Sequence, residues 1–266
     1  MGSLSTELTL PSYTRSGSGE PLFLIHAFPM DHAMWDAQVR YLSDRYQTFA
    51  PDLPGFGATP RAPGWRISGV AGSLLDIADR EDLRSFGVVG LSMGAYAAFE
   101  IYRRARDRVR WLVLASGRAR GDNDSERQAR TNLIGRVQAE GLPLLNEVML
   151  PRLLRQSPAP EIVASVRRTM ARTTAESVAD ALEALRERAD STPLLADIRC
   201  PTLVIGGNAD PITPPEESRA LAERIPGACF VEIPKAGHLT NLENPEAFNE
   251  ALAMFLDSAP EAPALF

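Results

Sequence analysis

The chain is predicted to be an α/β protein with a mostly parallel central sheet flanked by helices, and three observations predict it. Short apolar runs alternate with helical patterns from residue 21 onward. The runs are mostly apolar, as strands covered on both faces are, instead of alternating strictly between apolar and polar. A chain of 266 residues with 44% apolar content is also large enough to bury one core of catalytic size.

Residues 6–15 are expected to add an antiparallel edge strand or hairpin ahead of the first parallel strand, 21–25 (PLFLI). The stretch LIHAFPMDH over residues 24–32 holds two of the three histidines, His26 and His32, beside Asp31. Beyond it Trp35, Val39 and Leu42 recur at helical spacing, which makes Asp31 an N-cap. A metal held by His26, Asp31 and His32 would need all three side chains to converge with no spare histidine to join them, so structural roles and no metal are expected. Strand 47–50 (QTFA) leads into PDLPGFG, where Asp52 is expected to cap a glycine turn. Strand 86–90 (FGVVG) runs directly into a helix, and strand 111–115 (WLVLA) follows.

More than 80 residues then pass before strand 202–206 (TLVIG), far more than one crossover needs. Two helices are predicted there, one from Val163, Val166 and Met170, and one from Val178, Ala181, Leu182 and Leu185 after a Thr173-to-Glu176 capping box. Residues 118–193 are therefore expected to form a helical cap, with 1–117 and 194–266 as the core domain. Thr213-Pro214-Pro215-Glu216 predicts a helix with Thr213 as N-cap, strand 229–233 (CFVEI) follows, and Asn244-Pro245-Glu246 opens the last helix.

Composition narrows the function. Twenty-eight basic residues against 34 acidic ones leave a net charge of -6, which repels nucleic acid and anionic lipid, so neither is expected as a partner. Cys200 and Cys229 cannot build a disulfide framework and are expected as reduced, buried packing residues. The longest uncharged stretch, 85–99, is broken by three glycines and is too short to cross a bilayer. The start MGSLSTELTL has no basic-then-apolar leader, and its match to a myristoylation pattern through Gly2 and Thr6 is read as a plain start. A cytoplasmic location is expected.

The chemistry lies at Gly90-Leu91-Ser92-Met93-Gly94, between a predicted strand and a predicted helix. Glycines are needed on both sides because the chain turns so tightly that a side chain at 90 or 94 would strike the neighbouring strand or helix. The turn lifts the Ser92 hydroxyl off the sheet and sets it at a helix N-terminus, where developing negative charge is favoured. Asp210 falls just past strand 202–206 and His238 just past strand 229–233, at the strand ends where sites in α/β sheets are built. A serine hydroxyl is a poor nucleophile at neutral pH, so His238 would take its proton and return it to the leaving group, with Asp210 orienting the imidazole.

With these residues in this order, the chain resembles serine-dependent enzymes of the α/β-hydrolase fold over about residues 20–257. The stretches HAFPMDHAMWDAQ, PDLPGFGATP, GLSMGAYAAFE and AGHLTNLENPEAF are most similar to small bacterial carboxylesterases and 3-oxoadipate enol-lactonase-like proteins. The resemblance implies that the loop His26-Ala27-Phe28-Pro29 supplies one oxyanion-hole N–H from Phe28 and that Met93 supplies the other, with alanine at 27 where the family usually has glycine. Phe28, Met149, Leu150 and Leu153 are expected to line an acyl pocket. The implied activity is hydrolysis of a small-molecule carboxylic ester or lactone through an acyl-serine intermediate, with no cofactor. Acyl transfer to peroxide and a non-catalytic receptor on the same fold stay open, as does a homo-oligomer.

Overall fold

The computed structural model describes residues 9–258. Its strands are β1 (Tyr13–Ser16), β2 (Glu20–Ile25), β3 (Tyr46–Pro51), β4 (Phe86–Leu91), β5 (Val109–Ala115), β6 (Thr202–Gly207) and β7 (Cys229–Ile233). They form one seven-stranded sheet in the order β1-β3-β2-β4-β5-β6-β7. β1 runs antiparallel to β3 and every other pairing is parallel. The six apolar runs read from sequence are the six parallel strands, and the antiparallel edge strand occupies the end of the 6–15 window. Residues 6–8 of that window and the Gly2 and Thr6 pattern lie outside the described residues.

β4 sits between β2 and β5, and every residue of FGVVGL is buried. β7 lies at the sheet edge and its first residue is exposed. This corrects the expectation for Cys229, which is exposed because an edge strand has a partner on one side only. Cys200 is half-buried, and burial pushes its thiol up to about 11.

The helices are α1 (Asp36–Leu42), α2 (Ile67–Arg80), α3 (Met93–Ala105), α4 (Asp124–Glu140), α5 (Pro143–Val148), α6 (Leu150–Leu153), α7 (Pro160–Met170), α8 (Ala175–Arg186), α9 (Pro215–Glu223), α10 (Thr240–Glu243) and α11 (Pro245–Ser258). Asp31 caps as expected, accepting from Ala33 N at 3.0 Å, but the first turn is a 3-10 helix, His32–Trp35, that leads into α1. Two other caps fall one residue later than the sequence reading placed them. α9 begins at Pro215, because a residue preceding proline is excluded from the helical region, so Pro214 must stay extended. Thr213 is thereby freed, and its hydroxyl donates to Ser116 O. At α8 the cap is Thr174, accepting from Ser177 N at 3.1 Å, while the Thr173 hydroxyl donates to Gly55 O at 2.8 Å.

α4 to α8 all lie between β5 and β6 in the chain. α4 opens on a capping box between Asn123 and Glu126, a pattern present in the sequence but unread there. The inserted segment is fastened to the rest of the chain at several points. Arg172 donates to Asp31 at 3.0 Å, Thr173 bonds the loop after β3 through Gly55, and Leu239 N donates to Leu153 O at 3.0 Å. No helix among the described residues is long and apolar enough to cross a membrane.

Candidate active site

The site begins with the turn from β4 into α3. Ser92 has φ 54° and ψ -107°, a region that L-residues seldom occupy and that costs on the order of 1–3 kcal/mol. The surroundings enforce it: Ser92 N donates to Ala115 O on β5 at 2.8 Å, and Ser92 O accepts from Ala95 N at 2.9 Å. A Cβ on Gly90 would stand 2.2 Å from Gly94 O, and one on Gly94 would stand 2.1 Å from Ile25 O. The two glycines thus let α3 start against β2 and β4 with backbone touching backbone, which the sequence pattern anticipates.

Asp210 follows β6 and is buried. Its Oδ1 accepts from Ile212 N at 2.8 Å and Thr213 N at 2.9 Å, while its Oδ2 faces His238 Nδ1 at 2.8 Å. One oxygen therefore serves the local turn and the other holds the histidine. Because the partner of His238 Nδ1 is a carboxylate, Nδ1 carries the hydrogen, and in the neutral imidazole the lone pair is on Nε2.

His238, 1% exposed, is clamped from both sides. Gly237 N donates to Glu243 Oε2 at 2.6 Å, and Leu239 N donates to Leu153 O at the end of α6. Both Glu243 oxygens also accept from Arg155 N at 3.1 Å. Burial pushes the Glu243 carboxyl up, against the opposing pull of these N–H donors. Sequence reading missed Glu243, although it stands in the quoted AGHLTNLENPEAF stretch, because one of its two partners, Arg155, lies 88 residues away.

Ser92 and His238 open onto one cavity of about 210 Å³ that is also lined by Phe28, Tyr96, Met149 and Leu153. No hydrogen bond joins Ser92 Oγ to His238 Nε2 in this structure, a distance that commonly closes only around substrate. Of the four residues expected in the pocket, Phe28, Met149 and Leu153 reach the wall. Leu150 does not: Met149 and Leu153, four apart, share a face, while Leu150 is turned about 100° from Met149 and buried. The sequence reading also missed the charged residues of the wall, Arg118, Asp122, Glu126, Arg130 and Arg152.

The loop after β2 supplies the opposite wall. Neither Phe28 N–H nor Met93 N–H donates to any group among the described residues. His26 is fully buried; its Nε2 accepts from Leu53 N at 2.9 Å, which leaves Nδ1–H to donate to Ala27 O at 2.9 Å. Burial lowers its basicity, which keeps this neutral tautomer. His32 Nδ1 instead pairs with Asp52 at 2.8 Å, and Asp31 pairs with Arg172, so the three polar residues of LIHAFPMDH take three separate partners. Asp52 also caps its glycine turn, accepting from Ala58 N at 2.8 Å.

Known proteins share this fold. A family model described as alpha/beta hydrolase fold matches residues 20–245. The chain is 31% identical over 225 residues to 3-oxoadipate enol-lactonase 2 of Acinetobacter baylyi, covering 83% of this chain and 82% of that one. Among solved structures, a malate-bound thermophilic esterase from Thermogutta terrifontis superposes with TM-score 0.89 at 39% identity, covering 92% of each chain. The enol-lactonase from Burkholderia xenovorans superposes with TM-score 0.86 at 28% identity, covering 93% of this chain and 96% of that one. With a strained serine turn after β4, a carboxylate after β6 and a histidine after β7, and with the family model matching most of its length, the chain belongs to the α/β-hydrolase fold family.

Proposed function

We propose that the protein is a serine hydrolase of small carboxylic esters, lactones included, with Ser92 as nucleophile, His238 as general base and acid, and Asp210 as the residue that orients His238. The observation that carries this reading is the His238 Nδ1 to Asp210 Oδ2 contact of 2.8 Å, with both groups buried and His238 sharing a cavity wall with Ser92. In the first half-reaction Ser92 Oγ bonds to the acyl carbon as its proton passes to His238 Nε2. The carbonyl oxygen becomes an oxyanion facing Phe28 N–H and Met93 N–H, each of which contributes roughly 10²–10³-fold in comparable enzymes. The carbon–alkoxy bond then breaks, and His238 protonates the departing oxygen. In the second half-reaction His238 deprotonates a water that attacks the acyl-serine, releasing the acid and restoring Ser92. With a lactone the departing hydroxyl stays on the product.

Residues 118–193 act as the cap over a core formed by the rest of the described chain, and the cap supplies Met149 and Leu153 to the acyl pocket. The cytoplasm is the proposed compartment, in keeping with two free cysteines. The esterase and enol-lactonase relatives support this chemistry. The test is labelling with a fluorophosphonate and turnover of a p-nitrophenyl ester series, wild type beside Ser92→Ala. A Ser92 adduct and Ser92-dependent hydrolysis are expected. No adduct together with tight reversible binding would make the protein a receptor, and peracid formation outpacing hydrolysis at high peroxide would make peroxide the acyl acceptor.

A further inference from the structure

We infer that Met34 is a positioning residue for the hydrolysis proposed above: its thioether sulfur holds the loop that aims Phe28 N–H into the cavity. This rests on the hydrolase reading and deepens it. Met34 is buried and takes no part in the cavity wall, so it acts through its neighbours alone.

The loop turns on Ala27, which stands between the end of β2 and Phe28. Both peptide groups flanking its Cα are clamped. On one side Ala27 N donates to Met34 Sδ at 3.2 Å. On the other Ala27 O accepts from Met30 N at 2.8 Å and from His26 Nδ1 at 2.9 Å. Ala27 O and Phe28 N–H belong to one trans peptide plane and point in opposite directions. Drawing the carbonyl toward Met30 and His26 therefore turns the N–H the other way, and Phe28 lines the cavity with Ser92. That plane can still pivot about the Ala27 Cα unless the preceding peptide is fixed as well. The sulfur is the anchor that fixes it.

The sulfur is itself held in place. Met34 lies in the 3-10 turn capped by Asp31, its N donates to Asp31 O at 3.1 Å, and its carbonyl accepts from Asn241 Nδ2 at 2.8 Å. Asn241 is fully buried on α10, three residues beyond His238. Met34 thus joins the loop carrying the oxyanion donor to the helix that follows the histidine. Packing alone does not require a methionine here. A leucine conserves the volume, but it leaves the N–H of the fully buried Ala27 without the one acceptor it has among the described residues.

The test replaces Met34 by Leu and by Ile, which keep apolar bulk and lose the acceptor, and by Gln, which restores an acceptor oxygen on an unbranched side chain. Each variant is compared with the wild type on a p-nitrophenyl ester and on a trifluoromethyl ketone. Ser92 Oγ adds reversibly to the ketone carbon, its proton passes to His238, and the ketone oxygen becomes the oxyanion. Removing an oxyanion donor outright costs roughly 10²–10³-fold, so tilting one off line in Met34→Leu should lower kcat about 10-fold. KM should stay within about twofold, and ketone affinity should fall by about the same factor as kcat. Met34→Gln is expected to recover part of both while melting at a lower temperature, the reverse of what packing predicts. Circular dichroism and thermal melts establish which variants are folded. Wild-type kcat and ketone affinity in folded Met34→Leu or Met34→Ile overturns the inference and leaves the hydrolase reading standing. So does a folded Met34→Gln less active than both. Absence of Ser92-dependent turnover and of a Ser92 adduct in the wild type overturns both readings.

Discussion

Glu243 should control both the stability of the fold and the position of His238, and the two effects can be separated. Glu243→Ala removes the acceptor of Gly237 N, at 2.6 Å, and of Arg155 N, at 3.1 Å from each oxygen. Leaving a buried N–H without a partner costs roughly 1–3 kcal/mol, so two such groups, one of them half-exposed, imply a loss of about 2–4 kcal/mol. For a chain of this size that lowers Tm by roughly 4–16 °C. Gly237 directly precedes His238 and its remaining clamp is Leu239 N on Leu153 O. Losing one side of the clamp lets the imidazole drift, and a displacement near 1 Å costs on the order of 10²-fold in rate. The expected result is a fall in kcat of about 10- to 100-fold with KM little changed, below the melting transition. Glu243→Gln keeps the shape but turns an amide NH2 toward an N–H donor, so it should recover part of the stability and part of kcat. Glu243 also has its carboxyl raised by burial, so the folded chain holds a proton that the unfolded chain releases first. Stability from this group is greatest below the ordinary glutamate range and is lost as pH rises through the folded value, a slope that Glu243→Gln should flatten. Thermal melts from pH 4 to 8 and steady-state kinetics check each part. Wild-type Tm and kcat in Glu243→Ala would refute the clamp; a large Tm loss with unchanged kcat would refute its link to His238.

Other expectations follow from the same geometry. Gly94→Ala would place a Cβ 2.1 Å from Ile25 O, backbone against backbone, so it should cost several kcal/mol and give little soluble protein, visible in expression and melting. His26→Ala strands Leu53 N–H in a fully buried spot and should lower stability by about 2–4 kcal/mol. Its folded fraction should lose far less activity than His238→Ala, for which a loss of about 10³-fold or more is expected; equal losses in folded protein would remove His238 from its role. Asp52 raises the His32 pKa above its ordinary value, so this pair stabilises fully below about pH 6.5 and progressively less as pH rises through the folded value. Urea midpoints from pH 6 to 9 should fall less steeply in His32→Gln than in the wild type.

What the sequence makes legible here is what depends on neighbours along the chain. Most of the parallel strands read as apolar runs because both of their faces are covered, whereas β7 at the sheet edge stays partly exposed. The serine turn reads as glycine-x-serine-x-glycine because a Cβ at 90 or 94 would meet backbone within 2.2 Å. Local reading slips by one residue where a second local rule competes, as at Pro214-Pro215, where the pre-proline restriction overrides the threonine cap. It also slips where a longer contact competes, as at Thr173, whose hydroxyl goes to Gly55.

The sequence by itself determined the sheet, the nucleophile turn and the chain order of Ser92, Asp210 and His238, because strand pattern and strand ends are local properties. Only the tertiary structure decided which groups share partners. Asp210 divides its oxygens between a turn and His238, a division invisible in composition. Glu243 joins the histidine loop to Arg155 across 88 residues, and Asp122 takes Arg188 from 66 residues away. Such pairings are set by how helices pack on the sheet, so a charged residue reads as solvated surface until the fold brings it against the cavity. For that reason the sequence points to hydrolysis, while the charged residues of the cavity wall emerge only from the packed structure.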